Sequence, residues 1–284
     1  MANGVARPRK RVRFGGIWVD SLTAEAALDE MERLVQRGQG GYVFTPNVDH
    51  VVLAERIPAY RDAYAGASLS LVDGQPLVWS SRLLGARLPE KISGSDIILP
   101  VLRRAGARRY RVYFLGGRAG AAAAVAARAS RELGVEVVGV EAPRVGLEPT
   151  AEDDAIVERV RAARPHILFL ALGSPKAELW IHRTFTRIRP TLTLSIGAGL
   201  DFLAGQVRRA PRWMSRAGLE WLFRLALEPR RLGRRYLIDD PRFLSILYRT
   251  CRDPLDSRVR FAETFSEPGP ASDAPPRARA WPAS

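Results

Sequence analysis

Two kinds of apolar spacing alternate along most of the chain. Short apolar runs are typical of buried strands, and apolar residues that recur every three or four positions are typical of amphipathic helices. Helices between strands imply right-handed crossovers, so the sequence predicts a Rossmann-like α/β fold with a mainly parallel sheet covered by helices on both faces. The predicted strands are 11–18, 42–45, 68–72, 111–115, 135–140, 166–172 and 191–196, and the predicted helices are 23–36, 76–84, 95–105, 121–133, 152–163 and 176–188, with a further helical stretch broken near Pro58.

Charge is concentrated at two places in the sequence. Residues 1–13 hold five basic groups and no acid, and residues 208–235 hold nine arginines against two glutamates. The net charge of the chain is +14, so the remainder is close to neutral. Two basic segments on a nearly neutral body indicate a localised anionic partner, either nucleic acid or anionic lipid.

The second basic segment also carries an apolar helical stripe formed by Leu219, Leu222, Phe223 and Ala226. Such a helix fits an anionic membrane surface, and it fits equally well a helix packed on the protein with a solvated arginine face. Composition and charge together divide the chain into four predicted parts. They are a flexible basic arm (1–10), an α/β core that holds the candidate catalytic site (11–206), a basic helical appendage (207–262), membrane-facing on the first of these two interpretations, and a disordered tail rich in proline, alanine and serine (263–284).

Several functional classes are disfavoured by what the sequence lacks. No apolar run approaches the roughly 18 residues of a membrane-spanning helix, and no signal-peptide segment follows the basic N-terminus. The lone Cys251 excludes an intrachain disulfide framework, which agrees with a cytoplasmic protein. The three histidines (His50, His166 and His182) lack metal-ligand spacing, and no Asp-x-Asp motif occurs. We therefore expect metal-independent chemistry and no cofactor.

Ligands on sheets of this kind bind beyond the carboxyl ends of the strands. Asp73 follows an apolar run and precedes a glycine, so it is either a general base or part of an ordinary Asp-Gly turn. Thr45 and Asn47 could bind a sugar or diphosphate, although capping of the next helix is the simpler interpretation. Asp49 and His50, one turn further on, are interpreted as residues on the helix surface.

The turn at residues 116–120 brings backbone N–H groups to a helix N-terminus, which suits a diphosphate or simply connects a strand tightly to a helix. It is not a full dinucleotide fingerprint. An NAD(P)-dependent oxidoreductase that binds its cofactor at this turn is nevertheless an alternative function. A nucleic-acid-binding protein using the two basic segments is another, but nucleic acid is not expected because no recognised reading module is present.

A series of short motifs, in a fixed order over residues 12–250, resembles the WecG/TagA/CpsF family of bacterial glycosyltransferases, also called glycosyltransferase family 26. These motifs are Thr45-Pro46-Asn47, Asp73-Gly74, Ser93-Gly94-Ser95-Asp96, Leu115-Gly116-Gly117, Gly173-Ser174-Pro175-Lys176-x-Glu178, Gly197-Ala198-Gly199-x-Asp201-Phe202-x-Ala204-Gly205, Arg209-Ala210-Pro211, Gly218-Leu219-Glu220-Trp221-x-x-Arg224-Leu225, Glu228-Pro229-x-Arg231 and Arg235-Tyr236.

The resemblance implies an inverting, metal-independent transfer of a hexose, of N-acetylmannosamine type or related, from a UDP-sugar donor to a polyprenyl-diphosphate-linked acceptor in cell-wall or exopolysaccharide synthesis. It also implies a peripheral protein on an anionic membrane, at the inner face of the plasma membrane, with Asp73 as the catalytic base. The sequence is compatible with a homo-oligomer. The candidate substrate-binding residues are Thr45, Asn47, Lys91, Gly116, Gly117, Lys176, Glu178, Gly197, Gly199, Asp201, Arg209, Arg212, Arg216, Arg224 and Arg231.

Three positions depart from the family's pattern. Lys91 replaces the usual arginine, which keeps the charge but loses a two-pronged grip on a diphosphate. Ala177 replaces a glutamine, which removes one polar substrate contact, and Gln75-Pro76 replaces a segment that often carries a glycine. Since Asp73 is retained, we expect an active enzyme whose donor or acceptor differs from those of the best-known members.

Overall fold

The structure is a computed structural model that describes residues 9–262 except 209, 212, 215 and 216, and only the backbone of residues 231, 261 and 262. Its centre is a six-stranded parallel sheet with the strand order β4-β3-β8-β7-β5-β6. This arrangement confirms the predicted α/β fold class. The strands of this sheet are β3 (Gly41–Phe44), β4 (Leu69–Ser70), β5 (Arg111–Gly116), β6 (Glu136–Glu141), β7 (Ile167–Ala171) and β8 (Leu192–Ser195).

Helices cover both faces of the sheet because neighbouring strand residues point to opposite sides. In β3, Tyr42 and Phe44 join one hydrophobic cluster, and Val43 between them joins the other. In the second cluster, Phe114 and Phe169 of adjacent strands stack with ring centroids 5.4 Å apart. The helices are α1 (Ala24–Gln36), α2 (Val48–Arg56), α3 (Pro58–Ala65), α4 (Gln75–Ser81), α5 (Gly94–Arg108), α6 (Ala121–Leu133), α7 (Ala151–Ala163), α8 (Lys176–Ile188) and α9 (Gly199–Leu203).

Local sequence signals explain where several of these helices begin. The Thr23 hydroxyl accepts a hydrogen bond from the backbone N–H of Ala26, as its position before α1 predicts, and Ser93 caps α5 in the same way. Such a cap stabilises a helix by about 1 kcal/mol. Pro58 occupies the first turn of α3, where its missing N–H costs no hydrogen bond. The helical stretch predicted to break near Pro58 is therefore two helices, α2 and α3.

The strand predicted at residues 11–18 is wrong as a single element. The structure has a hairpin of β1 (Arg9–Phe14) and β2 (Ile17–Asp20), which pair antiparallel. The turn between them is Gly15-Gly16, where Gly15 takes a φ of +55° that favours glycine. Strand β9 (Val259–Ala262) pairs with the other edge of β1, so the C-terminal end of the appendage is joined to the start of the core in a second, three-stranded sheet.

The appendage runs through α10 (Glu220–Leu227), α11 (Pro229–Arg234), a five-residue π-helix (Arg235–Asp239), α12 (Arg242–Arg252) and α13 (Leu255–Arg258). Helix α12 anchors it, because Phe243, Ile246 and Leu247 are buried in the cluster that includes Phe14 of β1. Burying each of these side chains contributes roughly 1.5–3 kcal/mol. Arg9 and Lys10, which the sequence assigned to the flexible arm (1–10), instead begin β1, and Arg9 is buried. The rest of the arm and the predicted tail after residue 262 lie outside the described residues.

The apolar stripe on α10 is not packed into the core. None of its eight residues, all of which the structure describes, is fully buried. Trp221, Leu222 and Leu227 are exposed, as are Leu237 and Ile238 of the π-helix and Leu244 of α12. Over the described ranges, no helix is long and apolar enough to cross a membrane.

Candidate functional site

The catalytic candidate Asp73 is held at the carboxyl edge of the parallel sheet, just beyond β4. Its backbone N–H donates to the carbonyl of Pro46 at 2.8 Å, which ties it to the loop that follows β3. Gly74 then takes a φ of +93° and the chain enters α4 at Gln75. The positive φ explains the glycine after Asp73, because a side chain there would strain this sharp change of direction.

A cavity of about 420 Å³ lies between this edge of the sheet and the appendage. It brings together four residues predicted to form the site: Asn47, Asp73, Lys91 and Arg224. The core side of the cavity is lined by Asn47, Val48, Asp73, Gly74, Gln75, Pro76 and Lys91, and the appendage side by Gly218, Glu220, Trp221, Arg224, Arg235, Tyr236, Asp240, Phe243 and Leu244.

The surroundings of Asp73 favour a carboxyl group that exchanges its proton near neutrality. Its pKa is raised to about 7, chiefly by burial, with Glu220 and Asp96 acting in the same direction and Lys91 and Arg224 opposing them. A general base works best when its pKa lies near the operating pH. Asp73 is only partly buried, so one side of the carboxyl group faces the cavity, where a hydroxyl group could reach it.

Polar contacts hold α10 over the edge of the sheet. Lys91 Nζ lies 3.2 Å from Glu220 Oε2, so the lysine predicted to bind substrate also joins the core to the appendage. The Arg224 guanidinium lies over the Phe202 ring at 5.4 Å from its centroid. These contacts position two cationic groups, Lys91 and Arg224, beside the Asp73 carboxyl group.

Asn47 caps α2 and also lines the cavity, so its position is compatible with both roles considered for it. Its Oδ1 caps α2 by accepting the backbone N–H of His50 at 3.4 Å, and it also lies 3.4 Å from a guanidinium nitrogen of Arg235. Arg235 in turn forms an ion pair with Asp49 at 3.2 Å. Thr45 is buried two residues earlier and is not among the described residues that line the cavity.

The placement of Asp49 and His50 on the helix surface is wrong, since both are buried. His50 Nδ1 lies 2.7 Å from the Tyr64 hydroxyl, and burial lowers the pKa of His50 to about 3. The physical reason is that α2 is covered by α3 on one side and by the returning appendage, through Arg235, on another. The local spacing of apolar residues gives no indication that the appendage returns to this helix.

The motif at the start of α8 places Lys176 at the surface and Glu178 in the interior. Glu178 is 2% exposed, and its Oε1 accepts a hydrogen bond from the Ser195 hydroxyl at 3.1 Å. Burial raises the pKa of Glu178 to about 7. Ala177 is fully buried. As far as the structure describes the chain, Lys176 and Glu178 do not line the cavity, and substrate binding by them stays a prediction.

The glycine-rich turn after β5 is in contact with Asp201 of α9. Asp201 Oδ1 accepts the backbone N–H of Arg118 at 2.8 Å, so a carboxylate occupies a donor that a phosphate would use. Gly117 has a φ of +84°, and a Cβ at Gly116 would lie 2.6 Å from the carbonyl oxygen of Ala171. Five predicted site residues of this region are not among the described residues that line the cavity, and their substrate contacts stay predictions: Gly116, Gly117, Gly197, Gly199 and Asp201.

Several cavity residues were missing from the sequence-based site. The family's motifs contain four of them, and this could have identified them as site residues: Glu220, Trp221, Arg235 and Tyr236. No motif contains Asp240. Among the described residues, no group of three or more His, Cys, Asp or Glu side chains is arranged to hold a metal ion. Of the predicted arginines, Arg209, Arg212 and Arg216 and the side chain of Arg231 lie outside the described part of the chain.

Comparison with known proteins agrees with the motifs. Residues 12–256 match the sequence profile of the Glycosyl transferase WecG/TagA/CpsF family. The N-acetylglucosaminyldiphosphoundecaprenol N-acetyl-beta-D-mannosaminyltransferase of Bacillus spizizenii (strain W23) is 27% identical over 212 residues, which are 74% of this chain and 80% of that protein. The protein of the same name from Bacillus subtilis (strain 168) is 28% identical over 210 residues, 73% of this chain and 80% of its own length. Because the family profile matches most of its length, the chain belongs to the WecG/TagA/CpsF family of glycosyltransferases, and four of the motifs contribute residues to the cavity.

Proposed function

We propose that this glycosyltransferase moves a hexose of N-acetylmannosamine type, or a related one, from a UDP-sugar to a polyprenyl-diphosphate-linked sugar, with inversion and without a metal ion. The reaction would serve cell-wall or exopolysaccharide synthesis. The proposal rests on the position of Asp73, a partly buried carboxyl group with a pKa of about 7 that faces a cavity beside cationic side chains. The two relatives, named for transfer of N-acetylmannosamine to a lipid-diphosphate-linked sugar, support the choice of substrates.

The transfer is a direct displacement at the anomeric carbon. Asp73 accepts the proton of the acceptor hydroxyl while that oxygen forms a bond to the anomeric carbon. The bond from this carbon to the UDP oxygen breaks, and its electron pair leaves with UDP. Because the acceptor attacks from the face opposite the leaving group, the configuration inverts.

Charge that develops on the departing UDP has to be balanced. Lys91, Arg224 and Arg235 all line the cavity that Asp73 faces, and such cationic groups stabilise a growing negative charge well in a site shielded from water. Our proposal assigns them the role that a divalent ion has in other UDP-sugar sites. Dinucleotide binding at the Gly116-Gly117 turn is less favourable, because the Asp201 carboxylate already accepts the Arg118 N–H there and would repel a phosphate.

The exposed apolar side chains of the appendage support a membrane-bound position at the inner face of the plasma membrane. Leu237, Ile238 and Leu244 are 64%, 58% and 68% exposed, and they follow the basic segment 208–235 in the chain. Apolar side chains that insert into the headgroup region, flanked by arginines that attract anionic lipid, are typical of an interfacial helix. This surface would bring the cavity to a lipid-linked acceptor.

The experiment that tests the proposal incubates the protein with UDP-N-acetylmannosamine and related UDP-hexoses and a lipid-diphosphate-linked N-acetylglucosamine acceptor. The lipid product is then identified by mass spectrometry, with and without EDTA. We expect the acceptor to gain one hexose-type residue at the same rate in both conditions. Failure to transfer from any donor would refute the proposed substrates, and loss of transfer in EDTA that a divalent metal restores would refute metal independence.

A further inference from the structure

Asp240 lines the wall of the cavity that belongs to the appendage, whereas Asp73 lines the wall that belongs to the core. It follows the π-helix Arg235–Asp239, and its backbone N–H donates to the carbonyl of Arg235 at 2.8 Å, five residues earlier. Wide helical turns of this type are rare and occur frequently at functional sites.

The Asp240 carboxyl group has a polar atom whose hydrogen-bonding capacity is unused. Its Oδ1 is buried and has no hydrogen-bond partner among the described residues. Buried polar atoms without partners are uncommon in folded proteins, and each calls for a physical explanation. A carboxyl oxygen that is buried without a donor is costly when the group is charged, so this position favours the neutral form and leaves the rest of the side chain to contact the cavity.

The charges around Asp240 favour its neutral, protonated form. Burial raises its pKa to about 7, the neighbouring carboxylates of Asp49 and Asp239 act in the same direction, and Arg235 opposes them. Arg235 is itself engaged with Asp49 and Asn47. A protonated carboxyl group donates one hydrogen bond, which a carboxylate cannot do. The other charged groups lining the cavity are Asp73, Lys91, Glu220 and Arg224.

We propose that Asp240 recognises the acceptor by donating a hydrogen bond from its neutral carboxyl group to an oxygen of the acceptor sugar. This inference rests on the proposed function. The acceptor rather than the donor is assigned because the cavity lining next to Asp240 in sequence includes the apolar side chains of Phe243 and Leu244. Leu244 is exposed, as are Leu237 and Ile238, which come just before Asp240 in the chain. On this assignment, a lipid-linked sugar in the cavity contacts Asp240 on the appendage wall and Asp73 on the core wall.

Steady-state kinetics with the full chain test this assignment, with KM measured separately for the lipid acceptor and the UDP-sugar between pH 6 and 8.5. For Asp240→Ala we expect an acceptor KM about tenfold higher and a donor KM within about twofold of the unaltered protein, the size of one lost hydrogen bond. Asp240→Asn always donates a hydrogen bond. Its acceptor KM should therefore stay near that of the unaltered protein at pH 6 and lack the rise that the unaltered protein shows toward pH 8.5.

The matched control is Asp253→Asn, which removes a carboxylate of the same appendage that pairs with Arg13 of β1. It should leave both KM values within about twofold, the range expected of a surface change. An acceptor KM that Asp240→Ala leaves unchanged would overturn the inference alone, as would an Asn variant that behaves like the Ala variant at every pH. If the unaltered protein transfers no sugar, the proposed function fails, and this inference fails with it.

Discussion

Replacing Asp73 by asparagine should abolish most of the transfer while making the protein more stable. The substitution keeps the shape of the side chain but removes its ability to accept a proton. General-base catalysis contributes about 10²–10⁴-fold to a rate, so we expect kcat to fall by that factor. In the unaltered enzyme kcat should rise with pH and level off above about pH 8, because the pKa of Asp73 is about 7 and only the ionised form is a base.

The stability change follows from the same shift. A carboxyl group whose pKa rises from 3.8 to about 7 on folding disfavours the folded state once it ionises, by about 4 kcal/mol at the limit. Because Asp73 is partly exposed, solvent screening reduces this to about 2 kcal/mol. The stability present when the group is protonated is lost as the pH rises through 7. Asparagine, which stays neutral, should therefore raise Tm by about 4–8 °C at pH 8 and by little at pH 4.

The assay combines initial rates of lipid-product formation with thermal melts at the two pH values. The control is Asp154→Asn, an exposed carboxylate on α7 that pairs with Arg187 at 2.6 Å and should change neither rate nor Tm appreciably. A folded Asp73→Asn protein that transfers sugar at the normal rate would refute the role of Asp73 as the base. A lower Tm of that variant at pH 8 would refute the reasoning from its burial.

Three further changes test neighbouring parts of the site. Lys91→Ala should raise the KM for the UDP-sugar by about tenfold or more, which is the scale of a lost charged contact. Lys91→Arg keeps the charge and should leave this KM near that of the unaltered protein. Equal effects of the two substitutions would contradict a charge contact with the diphosphate. Glu220→Gln removes a carboxylate that raises the pKa of Asp73, so the rise of kcat with pH should move to lower pH. A pH profile of kcat that does not move would contradict this influence of Glu220 on Asp73. Leu237→Glu combined with Ile238→Glu should weaken sedimentation with anionic vesicles several-fold, since burying each apolar side chain contributes roughly 1.5–3 kcal/mol. Transfer to a short, soluble acceptor should persist. Unchanged sedimentation would contradict the membrane assignment.

Truncating the chain near Val207, where the predicted appendage begins, would be a simpler test of membrane binding than the substitutions at Leu237 and Ile238. In the structure, α12 buries Phe243 against the core and β9 pairs with β1. Removing the appendage would therefore uncover apolar core and an edge strand, and a loss of activity would not separate membrane binding from folding.

The chain's own sequence determined the architecture of the core and the position of its candidate base. Helices 121–133 and 176–188 have the predicted bounds, because the spacing of apolar residues within a helix or strand is set by its own geometry. The rule that ligands bind at the carboxyl ends of parallel strands led to Asp73 and Asn47 at the cavity without any knowledge of long-range contacts. The cap that Asn47 forms on α2 was likewise readable from the local sequence.

Only the tertiary structure decided what faces Asp73. The pairing of β1 with β9, the burial of Asp49 and His50, and the approach of Lys91 to Glu220 all join segments far apart in the chain. Local spacing describes which face of an element is apolar, but it does not specify which distant segment covers that face. The appendage wall, including Asp240, therefore emerges only when the chain returns across the edge of the sheet, where packing and charge between remote residues determine the site.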